Sequence, residues 1–172
     1  MLVDTPVCDF GWKMPHFSLK SPDGSRFDST EDLNQAPLLI MFICNHCPYV
    51  KRIAEDLAKR TELLMKEGIQ VVAIMSNDYR EYPEDAPEKM LSFKQDHGFQ
   101  FPYLLDEDQS VGKAFGAVCT PDFFGFNSRG ELQFRGNSEE MGQAMMLILK
   151  TGKGPDQQTP SMGCSIKWST GG

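Results

Sequence analysis

Every position from residue 38 to residue 43 is apolar, the pattern of a strand covered on both faces within a largely parallel sheet. Such a strand delivers the next residue, Cys44, at its C-terminal end. Beyond Pro48 the apolar period changes: Val50, Ile53, Ala54, Leu57, Leu64 and Met65 recur at helical spacing, Pro48 suits a first turn, and Gly68 closes the helix. The pair Cys44 and Cys47 therefore falls at a helix N-terminus.

The chain continues in short periodic segments. Residues 71–76 read as a buried strand, Pro87–His97 as a helix closed by Gly98, Tyr103–Leu105 as a short strand and Ser110–Phe115 as a short helix. Strands at 123–126 and Leu132–Phe134 flank Asn127-Ser128-Arg129-Gly130, a hairpin turn; Met141, Ala144, Met145, Ile148 and Leu149 then mark a last helix ending before Gly152. Upstream, Phe17-Ser18-Leu19 alternates, Pro22-Asp23-Gly24 turns, and Ser25-Arg26-Phe27 returns as a partner strand. The resulting order, βαβαβαββα with extra pieces at both ends, predicts an α/β fold with helices on both faces of a central mixed sheet. One domain over 1–172 is expected, with a hairpin-bearing N-terminal extension at 1–36 and a C-terminal tail at 152–172.

Composition narrows the function. A net charge of -7 and pI near 4.9 leave no basic surface of the kind that binds a phosphate backbone, so nucleic acid is not an expected partner. The longest apolar run is far short of the roughly 20 residues that span a bilayer. The N-terminus carries no basic segment followed by an apolar one, so no secretory signal is read there. Five cysteines, an odd count in a chain able to build a real core, argue for catalytic or buried thiols rather than a disulfide scaffold, and a cytoplasmic location is expected.

Cys-x-x-Cys at the start of a helix has a physical logic. Free N–H groups and the positive end of the helix dipole favour a thiolate, the attacking species in disulfide exchange. Cys44, nearer the strand end, reads as the exposed nucleophile; Cys47, one turn on, can resolve the mixed disulfide and release the substrate. His46, between them, can act as a cationic partner of the thiolate and make the disulfide more oxidising, or be an ordinary loop histidine. Two rival readings remain: a thiol peroxidase using Cys44, and a metal site on Cys44, His46 and Cys47, with Cys119 as a further donor. Structural zinc usually wants a second ligand pair at similar spacing, which the sequence lacks. Haem attachment needs histidine directly after the second cysteine, where Pro48 stands.

The strand-Cys-x-x-Cys-helix unit and the later Thr120-Pro121 before a strand resemble the thioredoxin superfamily. The phrases Phe42-Ile43-Cys44-Asn45-His46-Cys47-Pro48-Tyr49-Val50, Phe101-Pro102-Tyr103-Leu104-Leu105-Asp106, Cys119-Thr120-Pro121-Asp122-Phe123-Phe124 and Gly163-Cys164-Ser165-Ile166-Lys167-Trp168 resemble its bacterial redoxin branch of thioredoxin-family or peroxiredoxin-like proteins. The resemblance, from about Asp9 to Trp168, implies a thioredoxin-like fold and a thiol-disulfide oxidoreductase working without a tightly bound cofactor. Its expected partners are a disulfide-bearing protein or small-thiol substrate and a dithiol electron donor. It also implies that Pro121 is a cis-proline facing the dithiol, with the Thr120 backbone pairing to substrate.

Two departures stand out. Thioredoxins carry Trp before the first cysteine and a buried acid six residues before it; here those positions are Ile43 and Leu38, which leaves the proton acceptor for Cys47 open. A peroxiredoxin Pro-x-x-x-Thr-x-x-Cys motif aligned on Cys44 finds Pro37 but Met41 in place of threonine. Cys119, two residues before Pro121, reads equally as a third redox thiol or as a buried inert one. Cys164 reads as structural, or as resolving only under stress. His16 and His97 carry no partner pattern, and Met141 and Met145 read as core.

Overall fold

The computed structural model describes residues 1–170; the last two residues of the expected tail lie outside them. The chain begins with β1 (Leu2–Asp4) and the hairpin strands β2 (Ser18–Lys20) and β3 (Arg26–Asp28). Then come β4 (Leu38–Phe42), α1 (Pro48–Lys66), β5 (Gln70–Met75), a 3-10 turn at Pro83–Asp85, α2 (Pro87–His97), β6 (Tyr103–Leu105) and α3 (Ser110–Phe115). Last are β7 (Cys119–Thr120), β8 (Asp122–Phe126), β9 (Leu132–Phe134), α4 (Ser138–Thr151) and β10 (Met162–Ser165).

The main sheet has the order β3-β2-β6-β5-β4-β8-β9, with β4 parallel to β5, β5 parallel to β6, and antiparallel strands on both sides. Strand geometry explains why β4 is apolar throughout. Leu39 and Met41, with Ile43 just beyond, pack with α1, α2 and α4, while Leu38, Ile40 and Phe42 pack on the opposite face with α3 and the hairpin residues Phe17 and Phe27. Cys44 and Cys47 belong to the first of these clusters. No helix of the described residues is long and apolar enough to cross a membrane.

The two ends do more than extend the domain. β1 pairs with β10 and β10 with β7, a three-stranded sheet in which Leu2 lies opposite Cys164 and Cys164 opposite Thr120. Strands of two to four residues offer no readable period, and partners so far apart in sequence leave no local trace. Next to this sheet, the fully buried Asp122 takes two bonds from Arg135, Nε to Oδ1 at 3.2 Å and Nη2 to Oδ2 at 2.9 Å. The guanidinium also reaches the Gly116 carbonyl at 3.1 Å and lies over the Phe124 ring at 4.2 Å, tying β9 to the loop that carries Pro121.

Candidate active site

The strand-to-helix junction sets the site. β4 ends at Phe42, Ile43 N–H still bonds to the Ile74 carbonyl, and the chain then turns so that Cys47 becomes the N-cap of α1 with Pro48 in its first turn. The turn is pinned from below: Asn45 N–H donates to Asp85 Oδ1 at 2.8 Å, its side-chain amide to the Glu84 carbonyl at 3.1 Å, and Tyr103 O–H donates to Asn45 Oδ1 at 2.8 Å. Cys44 is 1% exposed and Cys47 0%, so exposure does not separate the two as strand-end placement suggested.

Thr120 meets both sulfurs. Its hydroxyl lies 3.5 Å from Cys44 Sγ, and its carbonyl accepts from Cys47 Sγ at 3.2 Å. The Thr120–Pro121 peptide is cis. The two thiols influence each other's ionisation and titrate as a unit. The bond from the Cys44 thiol draws Cys47 well below the ordinary thiol range despite burial, aided by Thr120 and by the Val50 N–H of the first helical turn. The same bond, burial and the charge of Asp85 push Cys44 far up.

His46 does stand beside Cys44, but in company the sequence did not announce. Its Nδ1 lies 2.7 Å from Oδ2 of the fully buried Asp85, a contact dominated by charge because its angle falls outside hydrogen-bond geometry. Asn77 donates to the same oxygen at 3.0 Å, and the Tyr82 ring stacks parallel to the imidazole at 5.8 Å. Asp85 is the buried acid that Leu38 does not supply. It comes from another loop, and nothing in the sequence distinguishes it among the 24 acidic residues of the chain.

The Asp85 carboxylate, as direct partner and as charge, raises the His46 pKa above its ordinary value of 6.5, against the opposing effect of burial. A group with a raised folded-state pKa stabilises the fold fully below its unfolded value and loses that contribution as pH rises through the folded value. An NMR titration of the His46 ring is expected to give a midpoint above 6.5 in the wild type, and a lower one in Asp85→Asn. A wild-type midpoint at or below 6.5 would show that the pair does not hold the imidazolium.

Among the described residues, the donors that converge within 4.8 Å of one another are Cys44, His46 and Asp85. This set replaces the expected Cys44, His46 and Cys47, and Cys119 is not in it. The carboxylate already serves Asn45, Asn77 and His46, which suits a charge-and-proton site better than a metal centre. Cys119 points its thiol at the Pro121 carbonyl, 3.6 Å away, and burial and Asp122 push its pKa up to about 12. Cys164 packs against the cluster that holds Cys44 and Cys47. His16 pairs with Asp28 at 3.3 Å, and His97 packs on Phe93 at 4.5 Å. A groove of about 840 Å³ between α1 and α4 shares no residue with this site.

A thioredoxin-like sheet with a cysteine pair at a helix N-terminus and a cis-proline loop against both sulfurs defines a class of thiol redox proteins. The chain belongs to the AhpC/TSA family, whose model matches residues 10–135. It is similar over 100% of its length to the crystal structure of an uncharacterized conserved protein from Geobacillus kaustophilus, of which it covers 98%, at 37% identity and a TM-score of 0.93. It is 23% identical over 150 residues to the thiol-disulfide oxidoreductase ResA of Halalkalibacterium halodurans, covering 86% of this chain and 81% of that one. Peroxiredoxin Bcp of Escherichia coli K12 is 29% identical over 111 residues, covering 64% of this chain and 66% of its own. The protein is an oxidoreductase acting in thiol redox chemistry.

Proposed function

We propose that this enzyme exchanges disulfides through Cys44 and Cys47, with Cys44 attacking and Cys47 resolving. The observation that carries the reading is that Thr120 contacts both sulfurs from the residue just before Pro121. Cys44, as thiolate, attacks a sulfur of the substrate disulfide; a mixed disulfide forms and one substrate thiolate leaves. Cys47 then gives up its proton and attacks Cys44 Sγ, which closes the internal disulfide and releases the second substrate thiolate. His46, held by Asp85, offsets the charge on Cys44, and Thr120 O–H can donate to it. Thr120 and Pro121 also form the ledge on which an extended substrate backbone pairs.

The substrate class is a disulfide-bearing protein or small thiol, and a dithiol donor restores the reduced state. The odd cysteine count supports a cytoplasmic location. A thiol peroxidase at Cys44 is the second reading, favoured by the Thr120 hydroxyl at 3.5 Å, which supplies from another strand the donor that Met41 does not. Incubating reduced Cys47→Ser protein with glutathione disulfide should trap a glutathione adduct on Cys44, located by peptide mass spectrometry. An adduct on another cysteine would reverse the assignment, and rapid peroxide-dependent oxidation of Cys44 in stopped flow would favour the peroxidase.

A further inference from the structure

Cys164 lies on β10, in the C-terminal tail. β10 is docked so tightly on β7 that a Cβ at Gly163 would lie 2.0 Å from the Thr120 carbonyl oxygen and 3.1 Å from Pro121 Cδ. Only glycine fits there, and it fixes Cys164 opposite the residue that meets both active sulfurs. The Cys164 side chain packs against the cluster that holds Cys44 and Cys47. Of these three cysteines it alone is partly open to solvent.

We propose that Cys164 is a third redox thiol that moves the internal disulfide from Cys44–Cys47 to Cys47–Cys164, and that a small dithiol reductant enters at Cys164. The inference rests on the dithiol reading above. In the step, the Cys164 thiolate attacks Cys47 Sγ, the Cys44–Cys47 bond breaks, the Cys47–Cys164 bond forms, and Cys44 leaves as a thiolate that takes up the proton Cys164 released. One disulfide replaces another, so no outside oxidant or reductant is consumed. An incoming thiolate can then attack the partly exposed Cys164 sulfur.

Charge makes the step conditional on oxidation. In the reduced protein, burial and then the neighbouring Cys47 sulfur raise the Cys164 pKa, while Lys167 opposes them. Closing the Cys44–Cys47 disulfide removes the influence of a Cys47 thiolate, which leaves burial opposed by Lys167 and the N-terminal ammonium. Cys164 therefore gains nucleophilic character when there is a disulfide for it to attack.

The test is disulfide mapping of full-length wild type, Cys44→Ser and Cys164→Ser after mild diamide oxidation. Wild type is expected to yield Cys44–Cys47 with Cys47–Cys164 as a second species, and Cys44→Ser to yield Cys47–Cys164. Cys164→Ser should close Cys44–Cys47 yet be reduced by dithiothreitol several-fold more slowly than wild type. Free Cys47 and Cys164 in folded Cys44→Ser, under conditions that close Cys44–Cys47 in the wild type, would overturn the relay and leave the dithiol reading standing. Should Cys44→Ser not fold, a wild type without the Cys47–Cys164 species and a Cys164→Ser reduced at the wild-type rate would overturn it equally. A wild type that never closes Cys44–Cys47 would instead remove the dithiol reading, and the relay with it.

Discussion

Cys44→Ser is expected to lose disulfide exchange by on the order of a thousandfold or more, because the covalent step has no substitute nucleophile at that position. A serine hydroxyl stays protonated at neutral pH and forms no mixed disulfide. The substitution is close to isosteric at a buried position, so far-ultraviolet circular dichroism should remain that of the wild type. Reduction of glutathione disulfide at fixed dithiol donor is the readout, and exchange retained within about tenfold of wild type, a difference of about 1.4 kcal/mol, would remove Cys44 from the attacking role. His46→Ala is the graded control. It leaves the Asp85 charge beside Cys44 without its partner, which destabilises the thiolate form and lowers the reduction potential, by roughly 30 mV for each 1.4 kcal/mol.

Arg135→Met is expected to destabilise the fold by about 3–5 kcal/mol, the usual range when one member of a buried ion pair is removed. Asp122 would keep its burial and its bond from the Val118 N–H at 3.1 Å but lose both guanidinium contacts. Burial already raises the Asp122 pKa above 3.8 even with Arg135 opposing. Without the arginine the carboxyl takes up a proton more readily in the folded than in the unfolded state. The deficit should therefore shrink as pH falls from neutral through that raised pKa. Urea denaturation at pH 7 and pH 5 measures both effects, with Asp122→Asn/Arg135→Met expected to recover part of the loss. A single-variant loss under about 1 kcal/mol would mean that the pair behaves like a surface bridge.

The elements most legible in the sequence were those whose signal is local. Pro87–His97, Tyr103–Leu105, Ser110–Phe115 and Leu132–Phe134 have the same bounds in the structure as in the hydrophobic pattern. Gly98 shows why: it adopts a left-handed φ of +70° and ends α2 with bonds to the Gln95 and Lys94 carbonyls, a role that glycine alone fills without strain. The Cys-x-x-Cys pair was legible for the same reason, since strand, turn and helix N-terminus are contiguous. Met141 and Met145, read as core from helical spacing, are fully buried.

What the tertiary structure alone decided is the company these residues keep. The sequence determined that a dithiol sits at the start of α1 and that a threonine and proline precede a later core strand. It could not determine that Asp85 lies under His46, that Thr120 spans both sulfurs, or that Cys164 lies opposite Thr120. Adjacent residues of a strand point to opposite faces, so Thr120 toward the dithiol turns Cys119 away from it. Asp85 and Cys164 are brought in by a 3-10 turn and a four-residue strand with no amphipathic period of their own. Periodicity reports which side of an element faces the core; which distant element stands on that side is fixed only when the chain closes on itself.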